Sequence, residues 1–458
     1  MVMQPVVILF VYTNNPLQSL PYTQESMGYF ILGGEKMVIR RGLITILFVF
    51  LLASCAGMTE KSLERKIERV ENGLLAEQSD PPWQGMNLID RMAYYKVPGV
   101  SIAVINNFQI EWAKAYGVVE AGKDQPVTTE TLFQPGSTAK PITAMAALHY
   151  VEAGALGLDN DVNNQLVSWK IPENDYTAQA AVTLRRLLSH SAGVVEVPLI
   201  GYAQGLAIPN RQQIMDGEPP ANSQPVRVEA VPGSQFFYSN GGYLIVEQLL
   251  VDVVGMPFDV MMQKTVLDPL DMDASTFQSP IPENLAPIAA SGHLADGRVI
   301  PGKWHNFPEL GTGGGMWTTA SDLARFYIDL MLTYTGESEK IISHEMAVEM
   351  LTPLLDSRGL GPWIGDDGGD LFYFLHPGAT DGYKSYIVGY PKKGQGIVIL
   401  TNSDASDALF DEIVNSMTQE YGWASNYTLL ATGIVVILMI GLVVFLIWRR
   451  KRSGRTLA

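Results

Sequence analysis

Cysteine is almost missing from this chain. Cys55 is the only one in 458 residues, so no intrachain disulfide can form and stability must come from a buried core. Metal-binding spacing is missing too: the six histidines are scattered, and no His or Cys pattern has the spacing of a zinc site. No metal or other cofactor is expected. No Gly-x-Ser-x-Gly elbow occurs, which disfavours an α/β-hydrolase. Positive charge is scarce. The formal net charge is −16, and between Cys55 and Trp448 there are 23 basic residues against 45 acidic ones, a net of −22. A surface of that sign repels nucleic acid and excludes it as a partner. Internal repeats and low-complexity segments are absent.

Long runs that are both uncharged and predominantly apolar occur at the two ends. Residues 429–448 form one that is long enough to cross a bilayer as a helix. Arg449, Arg450, Lys451, Arg452 and Arg455 follow it, so residues 449–458 read as a basic cytoplasmic tail and the body of the protein as extracytoplasmic, on the cell membrane. At the other end, Arg40-Arg41, an apolar run from Gly42 to Leu51 and the sequence Leu52-Ala-Ser-Cys55 make residues 37–55 an export signal. It is similar to a bacterial lipoprotein signal, with Cys55 as the lipidated residue; if Cys55 is not processed, residues 42–54 would remain as a signal anchor. Residues 1–36 resemble no known element, and translation is expected to start at Met37.

Residues 56–82 are charged, with Leu63, Ile67, Val70 and Leu74 at helical spacing. They read as a spacer or equally as a first packed helix. The globular pattern runs over 83–422, enough for a large core and two lobes. Pro98–Ile105 and Gln109–Tyr116 read as a hairpin around Asn106-Asn107. Helical patterns start at Ser137 and recur at Leu184–Leu188 and Gly242–Val254. Ser385–Gly389 and Gly396–Thr401 read as adjacent strands. Strands at both ends with helices between predict an α/β (α+β) fold: an antiparallel sheet flanked by helices, with a helical lobe inserted. Val194–Val231, rich in Pro and Gly, reads as a loop near a pocket mouth.

Three short motifs carry the chemistry. In Pro135-Gly-Ser137-Thr-Ala-Lys140-Pro141, the proline belongs in a first helical turn, so the helix is expected to begin at Gly136 or Ser137. Ser137 would then lie at the positive end of the helix dipole, with Lys140 one turn on along the same face as its base. Tyr238-Ser-Asn240 supplies a phenol for proton transfer, and an amide suited to Lys140 and to a substrate. His376-Pro-Gly378-Ala379 precedes a predicted strand. Gly378 would let substrate approach the backbone, the Ala379 amide would pair with that of Ser137 as an oxyanion hole, and His376 would line the opposite wall. Each motif is common by chance; their order is what points to one catalytic pocket.

That order resembles the serine β-lactamase and penicillin-binding-protein superfamily, in the branch of class C β-lactamases, D-Ala-D-Ala carboxypeptidases and related esterases. Thr131-Leu-Phe133, Leu187-Leu-Ser-His-Ser-Ala-Gly193, Pro269-Leu270 with Met272, Gly313–Ala324 and Gly382-Tyr383 extend the likeness over roughly Trp83–Ser403. The resemblance implies an α/β sandwich with a helical lobe. It implies Ser137 as nucleophile, Lys140 and Tyr238 as the acid/base pair, and Asn240 as a substrate ligand. One departure matters. The family's usual third motif, Lys-Thr-Gly, grips a substrate carboxylate with a fixed cation, and here His376 stands in its place. Weaker recognition of anions is therefore expected. No residue devoted to activating the deacylating water is identified.

The expectation is a membrane-anchored serine hydrolase that forms an acyl-enzyme on Ser137, acting on D-amino-acid peptides or esters of the cell envelope. The alternatives are a promiscuous esterase and a noncatalytic penicillin-binding or sensor protein.

Overall fold

The computed structural model describes residues 61–75, 85–198, 200–366 and 371–423. The described residues from Lys66 onward hold the sheet and the helices that build the site. The strands of the sheet are β1 (Gly99–Asn106), β2 (Gln109–Gly117), β5 (Trp363–Asp366), β6 (Phe372–Thr380), β7 (Tyr383–Tyr390) and β8 (Gln395–Thr401). All six are antiparallel to their neighbours, in the order β2-β1-β8-β7-β6-β5. A separate two-stranded ribbon pairs β3 (Tyr202–Ala203) with β4 (His305–Asn306). The N-terminal hairpin joins the C-terminal strands through β1 and β8, with Ile102 opposite Ile399 and Val104 opposite Ile397. β1 is apolar at nearly every position because both of its faces are covered.

Strand side chains alternate between faces, and the two faces receive different helices. Phe374 of β6 stacks on Tyr327 of α5 (Ala320–Thr335). Tyr386 of β7, opposite Pro377, meets Phe410 of α6 (Asp407–Tyr421) on the other face. α1 (Leu88–Tyr95) is joined to α6 by a buried bidentate pair in which Arg91 donates to Glu412 at 2.8 and 2.6 Å. Val70 and Leu74 are also buried, and the Ser416 hydroxyl donates to the Val70 carbonyl at 2.8 Å.

Between β2 and β5 runs the helical lobe, with α2 (Lys140–Glu152), α3 (Leu184–Leu188) and α4 (Asn240–Val254). α2 is apolar all round, and Lys140 to Leu148 are buried. Two local details differ from the sequence reading. The hairpin turn falls on Asn107-Phe108, both at positive φ, one residue later than expected. The His376 motif lies inside β6 rather than before a strand. Pro377 is tolerated there because β5 pairs with β6 only as far as Leu375, so this stretch is an open edge that requires no ladder donor.

The α/β (α+β) fold of sheet plus helical lobe is present, and one part of the expectation is corrected. Among the described residues no helix is long and apolar enough to cross a membrane. The fold seen here therefore has no C-terminal transmembrane helix; residues 429–448, to which the sequence assigns it, lie outside the described residues. So do residues 1–60, with the signal and Cys55, and the basic tail.

Candidate active site

The open edge of β6 is where the nucleophile docks. Gly136–Ala139 form a 3-10 turn that leads into α2, with Pro141 in the first helical turn as its missing N–H requires. The helix proper thus starts at Lys140, a turn later than expected, with Ser137 in the tighter turn before it. Gly136 sits at φ +57°, and a Cβ there would lie 2.6 Å from the Ala379 carbonyl oxygen. A Cβ on Gly378 would lie 2.2 Å from the Pro135 carbonyl oxygen. Two glycines are needed for the serine turn and strand edge to meet backbone against backbone. The contact is reinforced by Thr138, whose hydroxyl is 3.1 Å from that of Ser385.

Lys140 and Tyr238 converge on the serine. Lys140 Nζ donates to Ser137 Oγ at 2.8 Å and to the Thr312 carbonyl at 3.1 Å. Lys140 is fully buried. Tyr238 Oη also donates to Ser137 Oγ, at 2.8 Å. Ser239 is the N-cap of α4, accepting from the Gly242 amide at 3.0 Å, and this places Tyr238 just outside the helix. The His190 ring lies 4.3 Å from the Tyr238 ring. His190 Nδ1 accepts from the Ser239 amide at 3.1 Å, and burial holds its pKa well below the usual histidine range, so the ring that props Tyr238 is neutral.

Asn240 is placed beside this group but does not bond to Lys140 as the sequence reading expects. Glu196 captures it. The Asn240 amide nitrogens, main-chain and side-chain, donate to the two Glu196 oxygens at 2.8 and 2.7 Å. Asn240 Oδ1 is left buried without a partner. Burial raises the pKa of Glu196, against the opposing pull of the Asn240 amides and of Lys140.

His376 is 1% exposed, and its pKa is lowered to about 3, first by burial and then by Lys140. It is neutral, as the sequence reading requires. Nδ1 donates to the Pro377 carbonyl at 2.7 Å. Pro377, Gly378 and Ala379 line a cleft of about 350 Å³ together with Ser137. On the far side of Pro377 a smaller cavity of about 330 Å³ is walled by Phe236, Tyr238, Arg358, Trp363, His376 and Pro377. Among the described residues no cluster of His, Cys, Asp or Glu is placed to hold a metal ion.

Three features escape the sequence reading. Thr312, which holds Lys140, lies in a glycine run whose tight packing is the available signal: a Cβ on Gly313 would lie 2.2 Å from the Gly136 carbonyl oxygen. Glu196 lies in a stretch that reads only as a loop near the pocket mouth. Arg358 carries no local signal at all.

A serine hydroxyl held between an amine and a phenol can be deprotonated from one side while the other serves the leaving group. Comparison with known proteins agrees. A family model described as Beta-lactamase matches residues 87–415, well over half of the chain. Penicillin-binding protein 4 of Amycolatopsis lactamdurans is 26% identical over 71% of this chain and 86% of its own length. Unguisins hydrolase ungD of Aspergillus violaceofuscus is 24% identical over 74% of this chain; the match spans 66% of that relative, just under two thirds. The crystal structure of D-alanine carboxypeptidase AmpC from Burkholderia cenocepacia shares the fold. Its TM-score is 0.60 at 18% identity, covering 79% of this chain and all of that one. With a match of that extent over a domain whose serine, lysine and tyrosine meet within hydrogen-bonding reach, the chain belongs to the β-lactamase family of serine hydrolases.

Proposed function

We propose that this protein hydrolyses peptide or amide bonds through an acyl-enzyme on Ser137, and that its substrates are peptides containing D-amino acids. The observation that carries the reading is the double approach to Ser137 Oγ, with Lys140 Nζ and Tyr238 Oη each at 2.8 Å. Ser137 Oγ attacks the substrate carbonyl and gives up its proton to the Lys140–Tyr238 pair. The oxyanion that forms is held by the main-chain amides of Ser137 and Ala379 at the edge of β6. Tyr238 then passes a proton to the departing nitrogen, the C–N bond breaks, and the acyl group remains on Ser137. Water attacks this ester, its proton returns through the same pair, and the acid leaves. The name of the D-alanine carboxypeptidase relative supports a D-amino-acid substrate. The export signal at residues 37–55 supports substrates outside the cytoplasm.

The test is labelling with a fluorophosphonate and with a fluorescent penicillin, beside a Ser137→Ala control. Labelling lost in the control is the expected result, with the adduct mapped to Ser137 by mass spectrometry. A wild-type protein that neither probe labels would refute the acyl-enzyme reading.

A further inference from the structure

Lys140 divides its hydrogen bonds between Ser137 Oγ and the Thr312 carbonyl, so whatever fixes that carbonyl also fixes the base. Thr312 ends a 3-10 turn, Leu310–Thr312. Its hydroxyl closes the turn by donating to the Glu309 carbonyl at 2.7 Å. The first amides of such a turn have no partner inside it, and Gly311 is buried. The Gly311 amide donates instead to Glu247 Oε2 at 2.8 Å. Glu247 lies on α4, about two turns after Asn240, and is 0% exposed. A Cβ on Gly311 would lie 2.8 Å from that of Glu247, so only glycine lets the helix come this close.

A buried carboxylate needs a cation or several donors. Arg211 provides the cation: its Nε and Nη2 each lie 2.8 Å from Glu247 Oε1. Arg211 opens the short helix Arg211–Asp216, and its side chain is partly exposed. Glu247 therefore gives one oxygen to the arginine and the other to the turn that holds Lys140. Its neighbours on α4, Tyr243 to Val246 and Leu249-Leu250, are buried and apolar or aromatic. Replacing a buried ion pair by apolar side chains is often neutral or stabilising, so stability does not require this one. Orientation of the turn does, because an apolar residue at 247 would leave the Gly311 amide buried without an acceptor.

We propose that Glu247 is a positioning residue for acyl transfer. Through the Gly311 amide it fixes the Leu310–Thr312 turn, and the Thr312 carbonyl then holds Lys140 Nζ on Ser137 Oγ. The helix α4 thus sets both groups that serve the serine. Tyr238 is placed by the Ser239 cap at its start, and Lys140 is placed by Glu247 from its middle. This assignment rests on the acyl-enzyme reading and adds a residue to it.

The experiment measures acylation by the fluorophosphonate and by the fluorescent penicillin, whose concentration dependence separates the dissociation constant from the acylation rate constant. Glu247→Leu fills the space and removes the acceptor. It is expected to slow acylation by both probes about 10- to 100-fold, the scale of a 1 Å misplacement, and to leave the penicillin dissociation constant unchanged. Glu247→Gln keeps an acceptor for Gly311 and should recover most of that loss. In a Lys140→Ala background, adding Glu247→Leu should leave the residual labelling rate as it is, because the effect runs through the lysine. Melting curves establish that each variant is folded. If Glu247→Leu does not fold, Arg211→Gln at the partly exposed end of the pair takes its place and should slow acylation severalfold. A wild-type acylation rate in the folded variant, a Glu247→Gln as slow as Glu247→Leu, or a further loss in the Lys140→Ala background would overturn the assignment while leaving the acyl-enzyme intact. Wild-type protein that neither probe labels would remove the acyl-enzyme reading, and this one with it.

Discussion

Glu196 holds Asn240 with both of its oxygens, taking the main-chain amide at 2.8 Å and the side-chain amide at 2.7 Å. The pairing consumes the donor end of the asparagine and turns its oxygen inward, where it has no partner. Glu196 therefore fixes the orientation of Asn240 beside the Ser137, Lys140 and Tyr238 group. Glu196→Ala should lower kcat/KM about tenfold, in line with the loss of one oriented hydrogen bond. Because Glu196 acts through Asn240, the double variant Glu196→Ala, Asn240→Ala should be no worse than Asn240→Ala alone. Strictly additive losses would show that the two work separately.

Tyr238→Phe keeps the ring against His190 and removes only the hydroxyl. The variant should fold normally and lose about 10² to 10⁴ in kcat, the range for one acid–base group. KM should change little. Steady-state kinetics check this, and a loss confined to KM would move Tyr238 from proton transfer to binding.

Glu309 is 3% exposed, and its pKa is pushed up to about 7, mainly by burial and also by Glu247. The folded protein keeps this proton to about pH 7, whereas the unfolded chain releases it near the ordinary glutamate value of 4.5. Folding thus takes up a proton between these limits, and stability falls as pH rises through them. The full effect is on the order of 3 kcal/mol. Glu309→Gln should therefore become progressively more stable relative to wild type from pH 5 to pH 8. Melting curves across that range check it; a constant difference would mean that Glu309 does not titrate there.

Arg91→Ala leaves Glu412 buried without its guanidinium. Breaking such a pair is expected to reduce stability by about 3 kcal/mol. Urea denaturation measures the loss, and the acylation rate of the folded fraction should be unaffected. A change below about 0.5 kcal/mol would show that Tyr95, which also donates to Glu412 at 2.7 Å, suffices alone.

How much of the fold and the site is legible in the sequence depends on the distance over which the information is local. Ser137 and Lys140 share one helical turn, and Pro141 marks where that turn must start. Tyr238 and Asn240 flank a serine N-cap, again a local signal. The hairpin of β1 and β2 and the strands β7 and β8 follow from short apolar runs. What is not legible is decided between segments. Glu196 meets Asn240 across a loop, Thr312 meets Lys140 across the lobe, and Arg358 finds the rings of Trp363 and Phe236 only after folding. The Pro377 motif reads as preceding a strand, and only the sheet order shows that it lies in β6, on an edge left open beyond Leu375.

Sheet order also dictates a schedule. The serine turn is made early in the chain, but the strand edge on which it rests, with the Ala379 amide, comes from β6, and β8 must still arrive to join β6 and β7 to β1. Such distant pairings form late and slowly. A chain emerging N-terminus first therefore carries its serine, lysine and tyrosine for most of its synthesis with no oxyanion partner. A chain truncated before β8 would keep Ser137, Lys140, Tyr238 and β6 but lose the strand that joins β6 and β7 to β1, and it is expected to be inert.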